Sequence, residues 1–127
     1  RLYTIPKIIH NNIEIKYLIY YYHPKFFDLT ARDKVNVMFH ELYHINPDFN
    51  GDIRRMGKFK KAHGHSKKSF EEKYLDYAEE FYSYVKDTSY HAFLDMNSRE
   101  LTQSFKKIKY RRMKTIRPVL VEAAQKR

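Results

Sequence analysis

The sequence predicts a small α+β domain in which a short N-terminal β-sheet packs on helices. Two patterns predict this class. Residues 1–27 are rich in β-branched and aromatic residues, and Asn11-Asn12 is a turn signal that predicts a β-hairpin. From Thr30 onward, apolar residues recur at helical spacing in separate segments. The 127 residues are the length of one domain.

The second predicted strand and the first helix have readable boundaries. Tyr17–Tyr22 is a second β-prone run, and Pro24 ends it because proline cannot donate to a strand ladder. Thr30 is a helix N-cap, since Asp33 follows three residues later in the manner of a capping box. Asn46-Pro47 ends this helix.

Two further helices are predicted beyond a polar loop over residues 46–68, which contains all three glycines. Ser69 and Glu72 form a second capping box at the start of the next helix. A third helix is predicted over residues 98–112, and residues 119–121 are predicted as a short strand. A loop as long as 46–68 in a compact domain is usually functional or disordered.

Positive charge is concentrated at the C-terminus. The formal net charge is +10, and residues 98–127 hold ten Lys/Arg against two Glu. We therefore predict a domain over residues 1–97, with residues 98–127 as its basic helical extension. Such a segment suits nucleic acid, an acidic partner or anionic lipid, and it is equally compatible with a solvated helix of a Lys-rich protein.

Composition also excludes several classes of protein. The chain has no cysteine, which excludes Cys-ligated zinc, iron–sulfur clusters and thiol catalysis. No apolar stretch approaches the roughly 18 residues of a membrane span. We expect no membrane partner and a cytoplasmic location, which for a viral protein means the host cytoplasm.

The motif that carries chemistry is His40-Glu41-Leu42-Tyr43-His44, an H-E-x-x-H pattern on the first predicted helix. Histidines four residues apart project from one helix face, so both imidazoles can bind one zinc ion. Glu41 then points toward the open position of the metal, where it can take a proton from zinc-bound water.

A catalytic zinc site needs a third protein ligand. His63-Gly64-His65 ends the long loop just before the second predicted helix, and either histidine could reach the metal. The remaining histidine could contact substrate. Carboxylates are the competing ligands, namely Asp48, Asp52, Glu71 and Glu72.

The segment 39–55 resembles the phage metallopeptidase family. That family has H-E-L-[YW]-H-I, then G-x-[LI]-R, and later a histidine after alanine and before glycine or serine. The corresponding residues here are His40–Ile45, Gly51–Arg54 and Ala62–Gly64. The resemblance covers residues 17–85, with a looser similarity to SprT-like zincins. It implies a zincin-like fold, with His63 as third ligand and His65 in reserve.

Arg54 occupies the arginine position of the family pattern. Its guanidinium could hold a carboxylate or carbonyl of the substrate. It could equally fix the long loop by pairing with Asp48 or Asp52, which we favour because an ordered loop needs internal bonds.

The sequence therefore predicts a zinc metallopeptidase acting on protein or peptide. His40, His44 and His63 hold Zn²⁺, and Glu41 is the general base. The run Tyr17–Tyr22 is expected to pair with the substrate backbone as an edge strand. The alternative is a nucleic-acid-associated protein that binds through residues 98–127 and carries a structural or non-catalytic zinc.

Overall fold

The computed structural model describes residues 3–56, 63–64, 66–107 and 117–120. Strands and helices both occur, which confirms the α+β class. The contacts divide the chain into two compact units, residues 1–16 with 109–127, and residues 17–108. In chain order the elements are β1 (Tyr3–Thr4), β2 (Ile8–His10), β3 (Ile13–Ile15), α1 (Ala31–Tyr43), α2 (Lys67–Glu72), α3 (Leu75–Val85), α4 (His91–Asp95), α5 (Ser98–Ser104) and β4 (Val119–Leu120).

The predicted hairpin is present in the first unit. β2 and β3 pair antiparallel, with Ile8 opposite Ile15. Asn11 and Asn12 have φ angles of 51° and 64°. Two successive left-handed residues make the turn that matches strand twist in a two-residue hairpin, and asparagine tolerates that conformation. The Asn11-Asn12 sequence therefore determines this hairpin locally.

A second strand pair joins the two ends of the first unit. β1 pairs antiparallel with β4, and Tyr3 lies opposite Leu120. The short strand predicted over residues 119–121 is thus confirmed for Val119–Leu120. The predicted packing of the strands on the helices stays a prediction, as does the domain division at residue 97.

The prediction of a strand at Tyr17–Tyr22 is wrong. β3 ends at Ile15, and residues 16–22 form no strand. The aromatic residues of this run instead make individual contacts within the second unit. For example, the ring of Tyr21 lies 4.5 Å from that of Phe26, measured between centroids. β-propensity records a preference for a half-buried pleated surface, and side-chain packing overrides it here.

Helix α1 begins as predicted. Thr30 is its N-cap, and the Thr30 hydroxyl accepts a hydrogen bond from the Asp33 N–H at 3.2 Å. The helix ends at Tyr43, earlier than the Asn46-Pro47 stop. The chain leaves the helix here because an isolated antiparallel bridge pairs Ile45 with Ile53.

The second predicted helix is divided in two and starts earlier. Ser66 caps α2 by accepting from the Ser69 N–H at 3.0 Å, so the prediction of Ser69 as the N-cap is wrong. Lys73 and Tyr74 separate α2 from α3. Only Ser69, with Glu72 three residues later, satisfies the capping-box pattern, yet Ser66 forms the cap because serine is a favoured N-cap residue even without an acid at that position.

The C-terminal elements were predicted less completely. Helix α4 had no sequence signal, because its N-cap residue Tyr90 makes no side-chain capping bond. Helix α5 begins at Ser98, as predicted, and ends at Ser104. Part of the predicted third helix, residues 108–112, lies outside the described residues.

The core of the second unit lies between α1, α3 and α4. Its buried cluster consists of Val35, Ala78, Val85 and Leu94. Lys34 is also fully buried, and its Nζ donates to the carbonyls of Leu94 and Met96 at 2.7 Å each. Burial lowers the pKa of Lys34. The last carbonyls of a helix have no intrahelical partner, so this ammonium satisfies the end of α4 from α1.

In the part of the chain that the structure describes, no helix is both long and apolar enough to cross a membrane.

Candidate metal centre

Three histidine nitrogens converge at the C-terminal half of α1. His40 and His44 lie one helical turn apart, and their Nε2 atoms are 3.2 Å from each other. His63, from the end of the long loop, places its Nε2 3.0 Å from that of His40. All three rings are half-buried. The loop therefore brings a third imidazole to the pair that the helix presents.

The spacing of these nitrogens fits a metal ion. In a tetrahedral zinc site with Zn–N bonds of about 2.0–2.1 Å, two ligand nitrogens lie about 3.3 Å apart. The two measured separations are within a few tenths of an ångström of this value. Among the described residues three histidines converge, and a tetrahedral metal with three protein ligands keeps one position open, as catalytic zinc sites do.

The other candidates for the third metal ligand are His65 and four carboxylates. His65 lies outside the described residues. Among the residues that the structure does describe, His40, His44 and His63 are the one group whose ligand atoms could share a metal. The four carboxylates considered from the sequence are not part of that group.

Phe70 forms the base of the histidine cluster. It is 0% exposed, and its ring centroid lies 5.1, 4.7 and 4.9 Å from those of His40, His44 and His63. The ring of His44 stacks on it at an interplanar angle of 26°. One side chain of α2 therefore fixes the positions of all three imidazoles.

Tyr74 supports the outer nitrogen of His40. Its hydroxyl lies 3.1 Å from His40 Nδ1, and the residue is 3% exposed. Burial, with the negative charges of Glu71 and Glu41, raises the pKa of Tyr74 to about 12. The hydroxyl thus stays neutral and can accept a hydrogen bond from Nδ1–H; in that tautomer Nε2 of His40 is free for a metal.

Burial favours the neutral form of the two imidazoles that α1 and its C-cap present, His40 and His44. The pKa of His40 and of His44 is lowered chiefly by burial, and His63 lowers both further. The carboxylate of Glu41 acts in the opposite direction at both histidines. Neutral imidazole is the form that binds a metal, so the site favours the state that binding needs.

Glu41 lies on α1 between two clefts that each contain one of the helix histidines. It shares one with His44 and residues 17–19, and the other with His40, Glu71 and Tyr74. Its charge helps to raise the pKa of Tyr21, after burial. Glu41 thus shares a cleft with each of these two histidines and is not part of the three-histidine group.

A comparison with known protein families assigns the chain to one of them. The family model described as "putative phage metallopeptidase" matches residues 1–109. The chain belongs to this family. The resemblance found in the sequence is confirmed, and a metal-dependent peptidase is the activity that the family description gives. No curated protein and no solved structure matched the chain.

The arginine of the phage metallopeptidase pattern contacts the end of α1. Arg54 Nε donates to the Tyr43 carbonyl at 2.8 Å, and its guanidinium carbon lies 4.0 Å from the centre of the Tyr43 ring. Its backbone N–H donates to the His44 carbonyl at 2.6 Å. The contacts are those of a residue that holds the loop, although the partners are backbone and ring rather than the aspartates considered from the sequence.

Gly64 sets the direction of the chain after His63. It is buried, with a φ angle of +68°, and an added Cβ would lie 2.8 Å from Met56 Cβ. A side chain there meets both an unfavourable backbone conformation and a steric clash.

Gly64→Ala is therefore expected to lower the free energy of unfolding by about 1–3 kcal/mol and to weaken metal binding by displacing His63. Urea denaturation and chelator competition measure the two effects. Gly51→Ala is the matched control, because Gly51 also has a positive φ of +91° but nothing within 4 Å of the added Cβ. Equal effects of the two substitutions on metal affinity would contradict a specific role for Gly64.

Sequence reasoning missed the residues that support the three histidines, Phe70 and Tyr74. Phe70 and Tyr74 are four residues apart, and their spacing indicates only a buried helix face. That this face is turned toward His40 depends on how α2 packs against α1, which no local signal encodes.

Proposed function

We propose that the chain is a zinc-dependent peptidase in which His40, His44 and His63 hold Zn²⁺ and Glu41 is the general base. The observation that carries the proposal is the convergence of three histidine Nε2 atoms beside a glutamate outside the ligand group. Membership of the phage metallopeptidase family supports it.

A zinc ion held by these nitrogens would polarise the scissile carbonyl and make water a stronger acid. In this proposal a carboxylate oxygen of Glu41 accepts a proton from the attacking water. The same oxygen then donates that proton to the nitrogen of the leaving amine. Tyr74 keeps the His40 proton on Nδ1 throughout, and Phe70 keeps the three rings in place.

The hypothesis that Tyr17–Tyr22 pairs with the substrate backbone is not kept. It required an edge strand, and residues 16–22 form no strand to which an extended peptide could be added. Residues 17–19 instead line a groove together with Glu41 and His44.

Metal content tests the proposed ligands. We expect about one zinc per wild-type chain by elemental mass spectrometry, and loss of that zinc in His63→Ala because two histidines hold the metal poorly. His10→Ala, at an exposed position of β2, is the control and should retain zinc. His65→Ala separates the two neighbouring histidines and should also retain it.

Two results would contradict the proposal. Wild-type protein that binds no zinc after reconstitution would remove the basis for a zinc peptidase. Full zinc occupancy in His63→Ala would show that His63 is not the third ligand. Binding of nucleic acid through residues 98–127 stays a prediction, because many of these residues lie outside the described ones.

A further inference from the structure

The groove next to Glu41 is small and mostly apolar. Its volume is about 330 Å³, at the low end of the range of ligand pockets in proteins. Most of its lining is apolar or aromatic, with Glu41 the one residue that bears a full negative charge. The lining residues are Tyr17, Leu18, Ile19, Glu41, His44, Ile45 and Ile53.

Apolar side chains of this groove are unusually open to water. Ile53 is 55% exposed, and Leu18 and Ile19 are also exposed. Water around such surface is released when an apolar ligand covers it, which favours binding of an apolar group. These residues lie directly beside the proposed general base, so the covering group belongs to whatever is bound for reaction.

The walls of the groove are held in place before anything binds. The Tyr17 hydroxyl donates to the Asp52 carbonyl at 2.7 Å and accepts from the Gly51 N–H at 3.0 Å. The Tyr17 ring packs on Phe49, with centroids 4.9 Å apart. The bridge between Ile45 and Ile53 fixes the opposite wall. A pocket held in place in this way loses little ordering entropy when it binds a side chain.

We propose that this groove is a subsite for one apolar side chain, such as Leu, Ile, Met or Phe, adjoining the scissile bond of a peptide. The inference rests on the proposed peptidase function. An acidic side chain would meet the negative charge of Glu41, and a neutral polar side chain would lose water without gaining a partner. A basic side chain would pair with Glu41 and occupy the proposed base.

The test compares three peptides, acetyl-Gly-Gly-Xaa-Gly-Gly-amide with Leu, Asn or Asp at Xaa. Leucine and asparagine have nearly the same shape, so this pair isolates the apolar contribution from charge. Binding is measured by NMR titration on the zinc-loaded Glu41→Gln variant of the 127-residue chain, which cannot consume the peptide if Glu41 is the base. This variant lacks the Glu41 charge, so the Asp peptide is disfavoured in it by loss of hydration alone. We expect the Leu peptide to bind at least about tenfold more tightly than the other two.

A matched pair of variants tests whether the preference for the Leu peptide arises in this groove. Ile53→Asn should remove the advantage of the Leu peptide, since Ile53 lines the groove. Ile13→Asn is the control, because Ile13 is 65% exposed on β3 and is not a lining residue. Both positions are exposed, so thermal unfolding and zinc content should stay unchanged in both variants.

The outcomes separate this proposal from the proposed function. Equal binding of the three peptides, no binding of any, or a Leu preference that survives Ile53→Asn would overturn the subsite. Peptide cleavage by the wild type without any preference for Leu would also overturn it while leaving a peptidase. Selective binding of the Leu peptide that Ile53→Asn abolishes, without cleavage by the wild type, would support the subsite and contradict the peptidase function.

Discussion

Glu41→Gln is expected to lower kcat/KM for peptide hydrolysis by roughly 100- to 10,000-fold, the contribution typical of a positioned general base. Glutamine keeps the shape of glutamate but cannot accept the proton of the attacking water. Because Glu41 is not one of the three converging ligands, zinc content should stay at the wild-type value. The measurement is cleavage of a fluorogenic peptide library, with zinc determined on the same samples.

Glu80→Gln is the control for this experiment. Glu80 is an exposed residue of α3 outside both clefts that contain Glu41, so its loss should leave kcat/KM unchanged. Wild-type activity in Glu41→Gln would assign the proton transfer to another group. A loss of zinc in Glu41→Gln would give Glu41 a role in metal binding instead.

Phe70→Ala is expected to lower the free energy of unfolding by about 3–5 kcal/mol, as deletion of a fully buried aromatic ring does. The side chain is 0% exposed and contacts all three histidine rings. Removing it leaves a cavity under the imidazoles, so zinc affinity should fall as well. Urea denaturation of the metal-free protein measures the first effect, and chelator competition the second.

Two further variants calibrate the Phe70 result. Phe70→Leu keeps most of the apolar volume and should lose less stability than Phe70→Ala. Phe105→Ala removes an exposed ring and should change stability by no more than about 0.5 kcal/mol. If Phe70→Ala cost less than about 1 kcal/mol, Phe70 would not be the base of the histidine cluster.

Helix periodicity made two of the three converging histidines predictable. An i, i+4 pair of histidines lies on one face wherever the segment is helical, so His40 and His44 could be assigned before any tertiary contact was known. His63 was assigned by the family pattern, because its approach depends on how the long loop returns to α1. The supporting roles of Phe70 and Tyr74 depend on how α2 and the residues after it are oriented toward α1. Tertiary packing alone determines that orientation.

The same difference between local sequence signals and tertiary packing explains which predictions of the fold were correct. The Asn11-Asn12 turn and the Thr30 cap depend on neighbouring residues, and both were predicted correctly. The strand at Tyr17–Tyr22 depended on partners elsewhere in the chain, and that prediction was wrong. α4 lacks a side-chain cap, and five residues are too few to give a clear helical period.

The buried ammonium of Lys34 makes the separation of α1 from α4 measurable by chemical labelling. Amine-specific reagents modify lysines that water reaches, and Lys34 is fully enclosed with Nζ bonded to Leu94 and Met96. Modification at this position requires α1 and α4 to separate. The labelled fraction of the Lys34 peptide, followed by mass spectrometry over time, therefore reports how often α1 and α4 separate, without any introduced dye or mutation.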